Sequence, residues 1–188
     1  PPAEVIPPEP EEVMLYGFFL GPFHAMLRNT AVRKWPQKKA RSLFAYLLFR
    51  HGEGVRRDRL INMLWPAVEG ESARNSLNVA MHAVRKVFRP AGLDQPLILY
   101  EDDHYRLNPE IDVTLDSDVF RALCEAGMRA EQRHGLAAAV PHYKEAVDRY
   151  SGDFLAEEIL GWPSLERENL SELYGVALDR LSRQMEHL

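Results

Sequence analysis

The segment between Glu71 and Arg89 combines side chains that can hydrogen-bond to phosphates and to the edges of nucleobases. Apolar residues recur there at intervals of three and four, which is the period of one face of an α-helix. Polar and basic residues recur at the same intervals on another face: Arg74, Asn78, His82, Arg85 and Arg89. Arginine and asparagine make bidentate contacts to guanine and adenine in the major groove. We therefore predict a helix that buries one face and presents the other, with an ordinary amphipathic surface helix as the alternative interpretation.

Charge is unevenly distributed along the 188 residues of the chain. The net charge is -5, yet residues 28–89 contain 14 Lys or Arg against 4 Asp or Glu, and residues 108–188 contain 8 against 16. A basic half favours a polyanionic partner, whereas an acidic half is repelled by one and is available for contacts with proteins.

Hydropathy and cysteine usage restrict the class of protein. No apolar run approaches the roughly 20 residues that a membrane-spanning helix needs. The single cysteine, Cys124, cannot form a disulfide within the chain. These features predict a globular, cytoplasmic protein.

The N-terminal residues 1–12 are rich in proline and glutamate, which disfavours both helix and sheet. We interpret them as a linker. Because the first residue is Pro1 rather than Met, a further domain upstream in a longer parent chain is expected.

The next hundred residues show the pattern of a small mixed domain. Short antiparallel strands are predicted near residues 13–20, 23–27 and 31–34. Helices are predicted over about 36–50, 57–64 and 71–89, and a β-hairpin over 96–107. Strands, three helices and a hairpin in this order are typical of a winged helix, in which the hairpin is the wing.

Beyond residue 112 the pattern predicts helices alone, over about 116–133, 136–150 and 163–186, with Asp116 or Asp118 as the first N-cap. Short links between them favour antiparallel packing like that of tetratricopeptide (TPR) arrays, although no strict repeat of about 34 residues is present. The predicted fold class is α+β: a winged helix followed by an all-α, TPR-like domain. The predicted units are a linker (1–12), a winged-helix domain (13–108) and a helical domain (109–188).

Several strings occur in a characteristic order along the chain. They are KKARSLFAYLLFRHGEGVRRDRLINMLWP, ESARNSLNVAMHAVRKVF and HYRLNPEIDVTLDSDVF, followed by YSGDFL at 150–155 and WPSLERENL at 162–170. The whole set, over roughly residues 13–188, resembles regulators of the antibiotic regulatory protein type, the SARP family. These regulators carry an OmpR-like winged helix followed by a bacterial transcriptional activator domain. The family's activator domain continues through more helical hairpins, so a truncated or short version is expected here.

The resemblance implies a transcription activator that binds double-stranded promoter DNA at direct repeats and contacts RNA polymerase. Such regulators bind as head-to-tail copies, so a homodimer or a head-to-tail assembly on DNA is expected. The resemblance also implies that the helix opened by Ser72 enters the major groove, and that the second helix and the start of the first touch phosphates. The polymerase-facing loop would be Pro66, Ala67, Val68, Glu69 and Gly70.

Within this arrangement the site divides into base-reading and phosphate-contacting residues. The base-reading candidates are Arg74, Asn78, His82 and Arg85, because a helix inserted by its N-terminal half exposes its early positions to base edges. The phosphate candidates lie at the starts of the first two helices, on the presented helix and on the wing: Lys38, Lys39, Arg41, Arg56, Arg57, Arg59, Asn75, Ser76, Lys86, Arg89 and Arg106. Cations at helix starts oppose the macrodipole preference for acids, which favours an anionic partner.

The predicted wing tip, residues 101–104, is acidic, with three carboxylates. Because the potential of a minor groove is negative, we expect this tip to stay out of close contact with DNA. Arg106 behind the tip is still expected to reach a phosphate.

The sequence contains no constellation typical of an enzyme. Its histidines lack metal-ligand spacing, no glycine loop could cradle a phosphate, and the adjacent Asp102 and Asp103 point apart on a hairpin tip. We therefore predict no catalysis, no metal and no cofactor. The alternative function is a protein-interaction module or scaffold built on a winged helix and TPR-like helices, but the charge of the presented helix face favours DNA.

Overall fold

The computed structural model describes residues 14–186, so the predicted linker 1–12 lies outside the described part of the chain. The strands are β1 (Met14–Phe18), β2 (His24–Leu27), β3 (Thr30–Val32), β4 (Val55–Arg56), β5 (Ile98–Glu101), β6 (His104–Leu107) and β7 (Asp112–Leu115). The helices are α1 (Lys38–Phe49), α2 (Arg57–Leu64), α3 (Gly70–Phe88), α4 (Asp116–His134), α5 (Leu136–Arg149) and α6 (Ser164–Glu186). The predicted α+β fold, a winged helix followed by helices, is confirmed.

The N-terminal sheet has the strand order β3-β2-β1-β7. β1 pairs antiparallel with β2 and parallel with β7, with Met14 opposite Asp112 and Gly17 opposite Leu115. The expectation of helices alone beyond residue 112 is therefore wrong for β7. A strand of four residues gives too short a pattern to recognise, and its pairing depends on a partner about a hundred residues earlier in the chain.

The winged-helix core is built around α1, whose residues 42–48 are all buried. Aromatic rings join α1 to the sheet side and to α3. Phe44 lies 4.7 Å from Phe88 and 5.6 Å from Trp35 between ring centroids, and Phe23 packs on both Phe44 and Trp35. These contacts fix the orientation of α3, because its buried face ends on Phe88.

The wing is a small sheet of order β4-β6-β5. β5 and β6 form the predicted hairpin, with Ile98 opposite Leu107 and Glu101 opposite His104. The two-residue strand β4 was not predicted, and it pairs Val55 with Tyr105 immediately before α2. The wing is thereby joined to the start of α2.

The helical part begins with a close pair of helices. Only Gly135, with φ of +84°, separates α4 from α5, as expected for a short link. The expectation of a short link after α5 is wrong, because residues 150–163 separate α5 from α6. We call residues 150–163 the docking segment.

The docking segment packs into the winged helix. Phe154 is fully buried, stacks on Phe19 at 5.2 Å between ring centroids, and forms an isolated antiparallel bridge with Leu20. The backbone N–H of Leu155 donates to the Phe19 carbonyl at 2.7 Å. The two predicted units therefore share a core, which local helix periodicity could not indicate.

Neither Asp116 nor Asp118 is the N-cap of α4, so the prediction that one of them would cap this helix is wrong. The N-cap residue is Leu115, and no side chain makes a cap hydrogen bond there. The Asp116 carboxylate instead accepts the backbone N–H groups of Phe19 at 2.7 Å and Leu20 at 3.1 Å. Burial raises the pKa of Asp116, while these two donors act in the opposite direction. The carboxylate thus ties the end of β1 to the start of α4.

Within residues 14–186, every helix is too short or too polar to cross a lipid bilayer.

Candidate nucleic-acid interface

The helix α3 is amphipathic in the way that the sequence predicts. Its apolar side is buried along the whole length, from Ala73 and Leu77 to Val84 and Phe88. Because α1 and α2 cover this side, the opposite side of α3 is left at the protein surface. Ser76 uses its hydroxyl within the helix, where it donates to the carbonyl of Ser72 at 2.9 Å.

All four base-reading candidates, Arg74, Asn78, His82 and Arg85, are exposed on α3. Since each helical residue advances by about 100°, the four span an arc of roughly 80°. Arg74 lines a cleft with Asp58 and Asn62 of α2, whereas Arg85 lines one with Leu97 next to the wing. The structure therefore brings these residues to one edge, and their contact with bases stays a prediction.

Val79 belongs to the same exposed side of α3 and was not singled out in the sequence. Its side chain is 56% exposed, although its neighbour Ala80 is buried. The available signal was an apolar residue outside the buried stripe of the helix. An exposed valine between Asn78 and His82 can make apolar contact with a thymine methyl group, although single exposed apolar residues are common on protein surfaces.

The phosphate candidates differ in their exposure and in the partners that they already have. Seven of the eleven are exposed, and three of them, Lys86, Arg89 and Asn75, extend the presented side of α3. Lys38 is exposed at the start of α1, and Arg56 just before α2. Arg59 is also exposed, and its guanidinium lies 6.0 Å from the ring centroid of Tyr46, within the range of a cation–π contact.

Four cations of the predicted set, among them the exposed Arg106, are engaged with groups of the protein itself. Lys39 donates to the backbone carbonyl of Leu64 at the end of α2. Arg41 pairs with Glu157 of the docking segment at 3.0 Å, and Arg106 pairs with Glu101 at 3.3 Å. The fourth is Arg57, which pairs with Asp103 at 2.9 Å. Each of these cations would have to leave or share its partner in order to meet a phosphate.

The wing tip is a tight turn that lies against the start of α2. Asp102 and Asp103 both have positive φ, of 48° and 63°. The backbone N–H of Arg57 donates to the carbonyl of Asp103 at 2.9 Å. The hydroxyl of Tyr100 donates to the Asp103 carboxylate at 2.8 Å, and this hydrogen bond raises the pKa of Tyr100.

The predicted polymerase-facing loop, residues 66–70, connects α2 to α3. It is anchored by Val68, which is partly buried and whose backbone N–H donates to the carbonyl of Trp65 at 3.1 Å. Pro66, Ala67, Glu69 and Gly70 are exposed. The loop is therefore available for contact, and its partner stays a prediction.

Within the described ranges, no group of three His, Cys, Asp or Glu side chains is arranged to hold a metal ion. Cys124 is buried in α4, and burial raises the pKa of its thiol to about 11. A thiol with this pKa stays protonated at neutral pH and is therefore a poor nucleophile there.

Residues 35–102, which run from the start of the aromatic core to the wing tip, match the family described as "Transcriptional regulatory protein, C terminal". This winged helix is therefore similar to the domains of a family of transcriptional regulators. The transcriptional regulatory protein MoaR1 from Mycobacterium bovis (strain BCG / Pasteur 1173P2) is 28% identical over 139 residues, which cover 73% of this chain and 44% of MoaR1. MoaR1 from Mycobacterium tuberculosis (strain ATCC 25618 / H37Rv) matches to the same extent.

The winged helix and the helices that follow it also match a solved structure, described as "Mycobacterium tuberculosis EmbR in complex with low affinity phosphopeptide". The TM-score is 0.74 at 25% identity, and the match covers 88% of this chain and 44% of the EmbR chain. These similarities confirm the resemblance to SARP-type regulators. The chain spans less than half of the length of the relatives that it matches.

Proposed function

We propose that this chain binds double-stranded DNA sequence-specifically and that α3 reads base edges in the major groove. The observation that carries the proposal is the exposed edge of Arg74, Asn78, His82 and Arg85 on a helix whose other side is fixed in the core. Winged-helix and helix-turn-helix domains place such a helix in the major groove. Val79 would add apolar contact on the same surface.

Phosphate contacts would come first from the exposed cations. Lys38, Arg56, Lys86 and Arg89 surround the presented side of α3 or lie at the neighbouring helix starts. Contacts of this kind set the register of the protein on DNA and supply the salt-dependent part of the affinity. Lys39 and Arg41 are weaker candidates, because a backbone carbonyl and Glu157 already bind them.

The finer proposal is a cytoplasmic, non-enzymatic activator that binds direct repeats in promoters and contacts RNA polymerase through the loop 66–70. It is supported by the SARP-type resemblance and by the description of the relatives as transcriptional regulators. The acidic helical part, residues 109–188, would serve self-association or contact with the polymerase, because DNA repels a surface of its own charge.

The deciding experiment is enrichment of random double-stranded DNA on the purified chain, followed by binding measurements from about 50 to 200 mM salt. We expect an enriched motif, and the spacing of its copies will report whether the site is repeated. With about six phosphate contacts, affinity should fall by roughly a thousandfold over this salt range. No enriched motif together with affinity that is flat in salt would refute DNA recognition and favour the protein-interaction module.

A further inference from the structure

Arg57, Tyr100 and Asp103 form a closed cluster between the start of α2 and the wing tip. The guanidinium of Arg57 lies 2.9 Å from Oδ1 of Asp103 and donates to the Tyr100 hydroxyl at 3.2 Å. That hydroxyl in turn donates to the same Oδ1 at 2.8 Å. The three side chains therefore contact one another through polar atoms, and the carboxylate is held from two sides.

The backbone of the tip is a two-residue hairpin turn that places Asp103 at this contact. Two successive non-glycine residues, Asp102 and Asp103, have φ in the left-handed region, which L-residues adopt at a cost. The hydrogen bond from the Arg57 N–H to the Asp103 carbonyl holds the turn against α2. Short strand β4, which pairs Arg56 with His104, continues the same attachment. The tip is thus fastened to α2 by backbone and side-chain contacts together.

The position of Arg57 at the start of α2 connects this cluster to the binding of DNA phosphates. Arg57 is the first residue of α2, where backbone N–H groups and side-chain cations meet phosphates in helix-turn-helix domains. Its side chain, 30% exposed, is turned toward Asp103 instead. The Asp103 carboxylate thus pairs with the Arg57 guanidinium, which would otherwise be available to bind a phosphate oxygen.

We propose that Asp103 is an internal substitute for a DNA phosphate: it occupies Arg57, with Tyr100 holding the carboxylate in place, and so sets the strength and salt dependence of DNA binding. The proposal rests on the proposed function. In the wild-type protein Arg57 makes no phosphate contact, and α2 meets the DNA backbone through Arg56. Asp103 lowers the affinity for all DNA sequences equally, because phosphate contacts do not distinguish bases.

The test is Asp103→Asn compared with Asp102→Asn. Both changes remove one negative charge from the same tip, and asparagine tolerates positive φ, so both variants keep the turn. Only Asp103→Asn releases Arg57. We expect it to tighten binding about fivefold at roughly 0.15 M salt, and to steepen the plot of log K against log salt by about 0.9, the effect of one additional phosphate contact. Asp102→Asn should give a much smaller change.

A double variant shows whether the gain passes through Arg57. Adding Arg57→Ala to Asp103→Asn should abolish both the tighter binding and the steeper salt dependence. Weaker binding by Asp103→Asn, or equal gains from the two asparagine variants, would overturn the proposal. The first result would mean that the closed cluster supports DNA binding, and the second that only total charge matters.

A measurement on the free protein separates this proposal from the proposed function. The Tyr100 hydroxyl donates to Asp103, which raises the phenol pKa, so Asp103→Asn should lower that pKa while Asp102→Asn leaves it unchanged. Titration by NMR with ¹³C-labelled tyrosine, assigned with Tyr100→Phe, reports this without DNA. If the Tyr100 pKa changes as expected but the wild-type chain binds no DNA, the proposed function is wrong, and the role of Asp103 in DNA binding is wrong as well. If DNA binds and Asp103→Asn changes nothing, only the role of Asp103 fails.

Discussion

At the scale of single residues, the basic side chains of the winged helix differ in whether they already pair with a carboxylate of the same chain. Arg74 and Arg85 are exposed on α3, whereas Arg41, Arg57 and Arg106 each pair with a carboxylate of the same chain. A count of cations in the sequence therefore overstates the charge available to DNA. The distinction also changes which substitution should report a phosphate contact: exposed Lys86 is a better choice than paired Arg57.

Arg74→Ala and Asn78→Ala are expected to weaken binding by about 1–3 kcal/mol at particular base positions and to relax the sequence preference there. Lys86→Ala should weaken binding to all sequences alike and reduce the salt slope by about one. Competition binding with single-base variants of the enriched site measures both effects. Exposed Lys144 on α5 provides the control, since Lys144→Ala should leave DNA binding unchanged. Equal, sequence-blind losses at Arg74 and Asn78 would show that α3 enters the groove differently.

At the scale of elements, the helical part depends on close packing of α4 against α5. A Cβ placed on Gly127 of α4 would lie 2.6 Å from Cε1 of the Tyr143 ring. Tyr143 of α5 is buried and donates its hydroxyl to Glu131 at 2.9 Å, so the ring has a fixed partner and little freedom to move. The glycine is therefore required by the approach of the neighbouring ring and not by its own φ.

Gly127→Ala is accordingly expected to lower the free energy of unfolding by about 1–3 kcal/mol through overpacking. Gly175 offers a matched control, because it lies inside α6, is exposed, and would have nothing within 4 Å of an added Cβ. There the same change should raise the free energy of unfolding by about 0.5–1 kcal/mol through helix propensity. Urea unfolding of the two variants decides the matter, and effects of the same sign would contradict the packing argument.

At the scale of the whole molecule, the docking segment makes the winged helix and the helical part interdependent. Phe154 packs among Phe19, Phe49 and Trp162, so a residue that follows α5 completes the core beside β1 and α1. Asp116 adds hydrogen bonds from the start of α4 to the end of β1. We therefore expect the two units to unfold together.

Phe154→Ala should lower the free energy of unfolding by about 3–5 kcal/mol, since it removes a fully buried aromatic ring. Ile159 lies in the same segment but is 95% exposed, and Ile159→Ala should change the free energy by less than about 0.5 kcal/mol. Unfolding followed by tryptophan fluorescence and by far-ultraviolet circular dichroism should give coincident transitions in the wild type. Two separated transitions would show that the winged helix and the helical part are independent.

Local patterns in the sequence determined the helices, the N-terminal strands, the hairpin and the exposed edge of α3, because the periods of helix and strand are expressed within a few residues of one another. The order of these elements indicated a winged helix, and the family resemblance added the expectation that α3 enters the major groove. Because the helical period is local, the buried and exposed sides of α3 could be assigned before any tertiary contact was known.

Only the tertiary structure decided how distant residues are paired. The strand β7, the docking segment and the carboxylate of Asp116 all find partners in or just after β1, which lie between 96 and 136 positions earlier in the chain. Arg41 pairs with Glu157, which lies 116 positions further along the sequence. Arg57 pairs with Asp103, which lies 46 positions further along. Charge and residue type are properties of the sequence, but whether an arginine is free for a phosphate depends on which carboxylate the folded chain places beside it.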